Sequence, residues 1–482
     1  MRLTDLAKGW LDLPQPAGGL EATGIACDSR AVRPGDLFVA VSGDKSDGHR
    51  FIADALRAGA VAVVGERKPE AAPLRVPFIQ VPDSRMALGR LSAAFFRHPS
   101  RDVSVTGITG TKGKTTTAWL LASIFEAAGR KAALFGTILN RIGDEILPAQ
   151  NTTPGALELE SHLRRLADLG GTHAVMEVSS HGIVQNRIAG IEFRCGIFTN
   201  IAPEHLDYHG TMENYLDAKA TFFEKLGVEA IAVLPRKEPS STVIARRTTA
   251  RVVWYGPEPE GGVRDIENTD AGLSFRWRGR PIRCRMWGEH NLQNILAAVE
   301  AAAALGFDGD AIARGIEGAV PPPGRMEEIP NHFGFRVFVD YAHTEGSLET
   351  VLRSLRTITP GRIIAVFGCG GDRDRQKRPR MGRACELLAD RLVITSDNPR
   401  SEDPNRILDE ICSGLEKPFH AAVLADRKEA IRLAILMAKP KDTVLIAGKG
   451  HETYQEIKGK RLHFDDREEA RESLEKRAQL GD

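Results

Sequence analysis

The apolar, β-branched run Val103–Ile108 opens directly into Gly107-Ile-Thr-Gly-Thr-Lys-Gly-Lys-Thr-Thr-Thr117, and helical composition follows over Ala118–Ala128. A strand, a glycine-rich turn and a helix in that order predict a crossover unit of a parallel sheet, so the loop constrains the fold class before anything else does. Glycine lets the backbone turn sharply enough to aim amide N–H groups at phosphate oxygens. Gly110, Thr111, Lys112, Gly113, Lys114, Thr115 and Thr116 are the candidate ATP-binding set. In it Lys114 meets the β/γ-phosphates and the Thr115 hydroxyl ligates Mg²⁺. The spacing is G-x-x-G-x-x-G-K-T, a variant, because Ile108 stands where the strict phosphate-loop pattern has glycine. A Gly-rich turn that binds nothing is the plainer reading; the strand–loop–helix context and the Gly-Lys-Thr core favour ATP.

The rest of the chain repeats the alternation. Strand-like runs at 36–41 and 61–64 flank a helical stretch at 51–58, and helical material at 84–97 leads to His98-Pro99-Ser100. Further strand candidates lie at 174–178, 196–199 and 230–234, then at 337–339, 363–367, 392–395 and 443–446. Pro321-Pro-Pro-Gly324 continues neither helix nor strand and reads as a linker. The expected layout is three α/β domains in series: residues 1–98, a central phosphate-loop domain with a mainly parallel sheet at 99–324, and a Rossmann-like domain at 325–482. A chain of 482 residues exceeds what one core supports. Net charge is +1, so no global field attracts nucleic acid, and anionic ligands must be held by local geometry. No apolar run approaches the roughly 18 residues of a membrane span, and the N-terminus lacks the apolar core of a signal peptide. The six cysteines (27, 195, 284, 369, 385, 412) show no C-x-x-C spacing, as expected of reduced thiols in a cytoplasm.

Several segments carry candidate chemistry. Met176-Glu177-Val-Ser-Ser-His181 ends one strand and Thr199-Asn-Ile-Ala-Pro-Glu-His205-Leu-Asp-Tyr-His209 the next, where open α/β sheets bind ligands. Mg²⁺ prefers oxygen ligands and keeps its waters, so Glu177 and Thr115 suffice for it. Tyr215-Leu-Asp-Ala-Lys219 lies on or begins a helix, where an exposed lysine is the plain expectation. Together the loop Thr109-Gly-Thr-Lys-Gly-Lys-Thr-Thr116, the Tyr-x-x-Ala-Lys segment and motifs from residue 27 to residue 452 resemble the Mur ligases and their folate relative, folylpolyglutamate synthase.

The resemblance implies three domains binding a UDP-sugar, ATP and an incoming amino acid in that order. It implies that His205 is a second-metal ligand and that Lys219 is carbamylated, which turns a cation into a carboxylate able to ligate metal. Asn151, Thr152, Thr153, Ser179, Gln185 and Arg187 match the family's grip on a muramoyl dipeptide, with hydroxyls, amides and a guanidinium suited to its D-glutamyl carboxylate. Cys27, Ser29, Asp44, Lys45 and Ser46 match segments that hold the uridine end. Asn291 and Asn294 resemble the adenine-contacting segment, although Asn near a helix start is also an ordinary cap. Arg325, Asp340 and His343 match residues that reach ATP, with His343 near the chemistry; the turn continues Thr344-Glu-Gly where Thr-Pro-Asp is more usual.

Arg373, the run Asp397-Asn398-Pro399-Arg400, Gly448 and Glu452 resemble a recognition set for meso-2,6-diaminopimelate. Arginine is the natural bidentate partner for the far carboxylate that distinguishes that amino acid from lysine. The implied reaction adds diaminopimelate to the D-glutamate γ-carboxylate of UDP-N-acetylmuramoyl-L-alanyl-D-glutamate through an acyl phosphate, with ATP as substrate and Mg²⁺ as cofactor. The implied enzyme is a cytoplasmic monomer of cell-wall precursor synthesis with neither nucleic-acid nor membrane partner. The rival readings are a lysine-adding Mur ligase, a folylpolyglutamate synthase-like ligase, a phosphate-loop kinase and a nucleotide sensor. The last two explain the loop and leave the other motifs unused.

Overall fold

The computed structural model describes residues 1–14, 17–43, 46–69, 75–418 and 421–480. The chain divides into two compact units, Met1–Gly256 with Leu296–Gly315, and Pro257–Ile295 with Ile316–Asp482.

The first unit holds two sheets. Four parallel strands, Gly24–Ala26, Asp36–Ala40, Ala62–Gly65 and Phe78–Gln80, lie side by side in chain order. The larger sheet has eight strands, in the order Arg251–Tyr255, Ile231–Pro235, Phe193–Phe198, Ser104–Thr109, His173–Glu177, Ala132–Phe135, Leu139–Ile142 and Glu145–Pro148. Its first six strands are parallel, as the alternating pattern predicts, and the last two fold back as an antiparallel edge. Ser104–Thr109 is central, flanked by His173–Glu177 and Phe193–Phe198, so the phosphate loop leaves the sheet between the two strand ends that carry Glu177 and Thr199. Val105, Met176, Phe198 and Phe222 are fully buried beneath it.

In the second unit the sheet order is Glu327–Glu328, Arg336–Asp340, Thr443–Ala447, Ile363–Phe367, Arg391–Thr395 and Ala421–Leu424, parallel apart from the first pair. Two buried layers, one around Phe338 and Leu355 and one around Val337 and Ile431, cover its faces. The strand ends at Phe367, Thr395 and Ala447 release the loops that begin Gly368, Ser396 and Gly448. A separate three-stranded antiparallel meander spans Val263–Cys284. Among the described residues no helix is long and apolar enough to cross a membrane, and all six cysteines are free.

Candidate active site

In the first unit the phosphate loop depends on two left-handed glycines. Gly110 has φ +150°, and a Cβ there would lie 1.9 Å from the Thr199 hydroxyl oxygen; Gly113, with φ +86°, precedes the helix Lys114–Ala127. The adjoining strand end braces the loop. The Thr111 amide donates to the Asn200 carbonyl at 2.8 Å, the Lys112 amide to the Asn200 side-chain oxygen at 3.0 Å, and the Thr199 hydroxyl to the Lys112 carbonyl at 2.6 Å. Thr115 and Thr116 are buried at the helix start.

Thr115 Oγ1 donates to Glu177 at 3.0 Å from each carboxylate oxygen, and the Thr137 amide and hydroxyl donate to the same carboxylate at 2.8 and 3.1 Å. A buried carboxylate beside a hydroxyl at a phosphate loop is an oxygen donor pair of the kind Mg²⁺ takes. No cluster of three or more His, Cys, Asp or Glu side chains that could hold a metal occurs among the described residues. The Thr115–Glu177 pair fits that ion, with phosphate and water able to fill positions that protein groups leave open.

Lys219 overturns the plain expectation of an exposed lysine. It is 1% exposed on the helix Met212–Glu224, its ammonium 4.4 Å from the centre of the Tyr215 ring. Its Nζ donates to the Gly110 carbonyl at 2.9 Å, and Lys114 Nζ donates to that same carbonyl at 3.0 Å and to the Thr111 carbonyl at 2.9 Å. Burial, with Lys114 adding repulsion, pushes the Lys219 amine well below the usual lysine range. His205 sits at φ +57°, its ring 4.8 Å from that of His181. Desolvation, opposed by Glu204 and reinforced by Lys114 and Lys219, holds its imidazole below the ordinary value. Phosphate loop, Glu177, His205 and Lys219 thus come together.

The muramoyl set is partly assembled. Thr153 Oγ1 donates to the Glu177 carbonyl at 2.9 Å and lies 3.0 Å from Ser179 Oγ, which caps the helix Ser180–Val184. Arg187 donates to Gln185 Oε1 at 3.0 and 2.7 Å and to the Thr153 carbonyl at 2.9 Å. The guanidinium expected to grip a substrate carboxylate therefore also ties two loops together. Thr152 accepts from Thr137 at 3.1 Å, and Asn151 is exposed. Cys27 is exposed, Ser29 begins a 3₁₀ turn, and the Ser46 carbonyl accepts from the Gly43 amide at 3.1 Å. Asp44 and Lys45 lie outside the described residues.

In the second unit, Asn291 and Asn294 are buried one turn apart. Asn294 donates to Asn291 at 3.1 Å and Asn291 to the Trp287 carbonyl at 3.0 Å, so neither caps the helix Glu289–Ala304. Arg325 stacks over the Tyr341 ring at 4.6 Å, with a buried Nε that has no hydrogen-bond partner. Asp340 accepts the Met326 and Ala342 amides, each at 2.8 Å, which ties the segment after the proline run to a strand end. His343 Nδ1 lies 2.7 Å from the Tyr341 carbonyl.

The candidate amino-acid site lies where the Gly368, Ser396 and Gly448 loops meet. A Cβ on Gly371 would lie 1.9 Å from the Pro399 carbonyl, and one on Gly370 would lie 2.8 Å from Arg400 Nη1 and 3.8 Å from Arg373 Cγ. Only glycines permit this approach, which sets both arginines beside one stretch of backbone. Arg400, at φ +52°, donates to the Gly371 carbonyl at 2.7 Å, while Arg373 is exposed. Asn398 donates to Glu452 at 2.8 Å, and the fully buried Lys449 donates to both, at 3.1 Å each. Asp397 is buried, its Oδ2 2.8 Å from where a Gly448 Cβ would stand. Thr137, Tyr215 and Lys449 join the site beyond the candidate residues; their sequence signals are the apolar run before Thr137, the Tyr-x-x-Ala-Lys segment that Tyr215 opens, and the glycines flanking Lys449.

Three domain families match along the chain: the Mur ligase family catalytic domain at residues 21–96, the Mur ligase middle domain at 108–302, and the Mur ligase glutamate ligase domain at 324–450. The chain is 44% identical to the UDP-N-acetylmuramoyl-L-alanyl-D-glutamate–2,6-diaminopimelate ligase of Geobacter metallireducens, over 97% of each chain. It is 43% identical to the protein of that name from Chlorobaculum tepidum, over 97% of this chain and 96% of the other. A solved structure bearing the same name superposes with a TM-score of 0.71 at 31% identity, covering 99% of both chains. With its three α/β domains and full-length matches of this kind, the chain belongs to the Mur ligase family.

Proposed function

We propose that this chain is an ATP-dependent, ADP-forming ligase of peptidoglycan precursor synthesis that joins meso-2,6-diaminopimelate to UDP-N-acetylmuramoyl-L-alanyl-D-glutamate. The observation that carries the reading within the relatives' shared chemistry is the setting of Arg400 and Arg373 around Gly370, with Glu452 in the adjoining loop network. Two guanidiniums and one carboxylate suit an amino acid whose far end bears both a carboxylate and an ammonium. Lysine lacks that far carboxylate and would leave Arg400 with only the Glu456 carboxylate, 3.8 Å from its Nε.

In the first step the D-glutamate γ-carboxylate attacks the γ-phosphorus of ATP. A new P–O bond forms, the bond to the bridging oxygen breaks, and ADP leaves. Lys114 and the loop amides offset charge on the phosphates, while the loops tied by Arg187, Thr153 and Ser179 orient the dipeptide. Thr115 and Glu177 would hold Mg²⁺, with His205 and a carbamylated Lys219 as the further ligands the family resemblance implies, and the bound ion would neutralise charge on the phosphates. In the second step the amine of diaminopimelate attacks the acyl carbon, loses a proton, and phosphate leaves with its electron pair. The proposed domain limits are 1–98, 99–324 and 325–482. The proposed setting is the cytoplasm, with the enzyme acting as a monomer.

The test is an ADP-release assay with purified protein, ATP and the UDP-muramoyl dipeptide, comparing meso-diaminopimelate with L-lysine. Amide product with diaminopimelate at a kcat/KM at least about 100-fold above lysine is expected. Equal or better use of lysine would overturn the assignment.

A further inference from the structure

Arg427 is fully buried, and so is its partner Asp466. Each opens a helix, Arg427–Met437 and Asp466–Leu480. Arg427 donates to the Asp466 carboxylate through Nε and Nη2, at 2.7 Å each, and this bidentate pair satisfies the charge. Its other hydrogen bonds leave the pair: Nη1 donates to the Ser396 carbonyl at 3.1 Å and Nη2 to the Ala447 carbonyl at 2.9 Å.

Those two carbonyls lie where two parallel strands, Arg391–Thr395 and Thr443–Ala447, give way to loops. The next residues are Asp397-Asn398-Pro399-Arg400 on one side and Gly448-Lys449-Gly450-His451-Glu452 on the other. These strands are not neighbours in the sheet, since Ile363–Phe367 runs between them. No ladder hydrogen bond therefore sets one loop against the other at their roots, and the guanidinium spans the gap. It also lies close to the charges it organises. A Cβ on Gly448 would stand 2.8 Å from Asp397 Oδ2 and 3.8 Å from Arg427 Nη2.

We infer that Arg427, clamped by Asp466, is a positioning residue for the amino-acid pocket, fixing the spacing of the Asp397–Arg400 and Gly448–Glu452 loops by holding the carbonyls at their roots. It touches neither substrate nor reacting atoms. The inference rests on the proposed function, because it takes those loops to be the diaminopimelate site. A planar guanidinium is required: a lysine ammonium cannot face a carboxylate bidentately while also reaching two carbonyls that diverge from it.

The test is steady-state kinetics of Arg427→Lys and Asp466→Asn in the full chain, with KM measured separately for meso-diaminopimelate, ATP and the UDP-muramoyl dipeptide, and melting temperatures recorded alongside. Arg427→Lys is expected to raise KM for diaminopimelate by about 10- to 100-fold while KM for the other two stays within about two-fold. Asp466→Asn keeps one acceptor and should give a smaller rise of the same selectivity; it carries the test alone if Arg427→Lys does not fold. A diaminopimelate KM within about two-fold of wild type, or a parallel rise in all three, overturns the inference. Wild-type protein that turns over no diaminopimelate would instead overturn the functional reading, and this inference with it.

Discussion

Lys219 stands on a helix of mixed composition, where a lysine is ordinarily a solvated cation, and its amine is buried against the Gly110 carbonyl. Only the family's Tyr-x-x-Ala-Lys pattern pointed inward. A neutral amine is the form that adds carbon dioxide, so burial supports the proposed carbamate. Lys219→Ala should lower kcat by at least about 100-fold, with melting temperature little changed, as measured by ADP release and calorimetry. Arg400 was legible as a carboxylate partner, but its left-handed backbone and its bond to Gly371 were not. Arg400→Ala should cut kcat/KM for diaminopimelate by about 1,000-fold and leave the lysine value nearly unchanged. Competition between the two amino acids measures that ratio directly.

Among elements, the strands that sequence revealed are those buried on both faces, such as Ile363–Phe367 and Thr443–Ala447, because continuous apolar runs are their mark. The short or half-exposed ones escaped: Gly24–Ala26, the antiparallel edge Leu139–Pro148, and the arginine-rich meander Val263–Cys284. Their pairing is decided by neighbours remote in sequence, and propensity carries little information there. Helix packing hid a further feature. Glu160, on the helix Ala156–Asp168, is 1% exposed, its carboxyl oxygens have no hydrogen-bond partner, and a Cβ on Gly190 would lie 2.4 Å from one of them. Burial, with Glu192 adding repulsion, pushes its pKa up from 4.5 to about 8. The folded state thus holds the proton more tightly than the unfolded chain. The resulting stability is present below about pH 4.5 and is lost as pH rises through about 8. Chemical denaturation across that window should show a decline on the order of a few kcal/mol, which Glu160→Gln should flatten.

For the whole chain, the α/β class was open to reading, because alternating strand-like and helical runs are a local pattern. The two compact units were not, since the chain leaves the first at Gly256 and returns to it at Leu296. A nucleotide that binds only the folded chain should stabilise it by about 2.7 kcal/mol at one hundred times its dissociation constant. Differential scanning calorimetry with ADP and Mg²⁺ measures this, and no shift at saturating nucleotide would contradict an ATP site.

The Gly110 carbonyl is met at once by Lys114 and Lys219, so two amines share one acceptor at the phosphate loop. Were residue 219 carbamylated as proposed, its nitrogen would keep one N–H for that carbonyl, while the added carboxylate would face Lys114 as an anion. One backbone oxygen would then anchor a cation and an anion in place of two amines, and the electrostatics of the phosphate cradle would turn on a single added carboxylate.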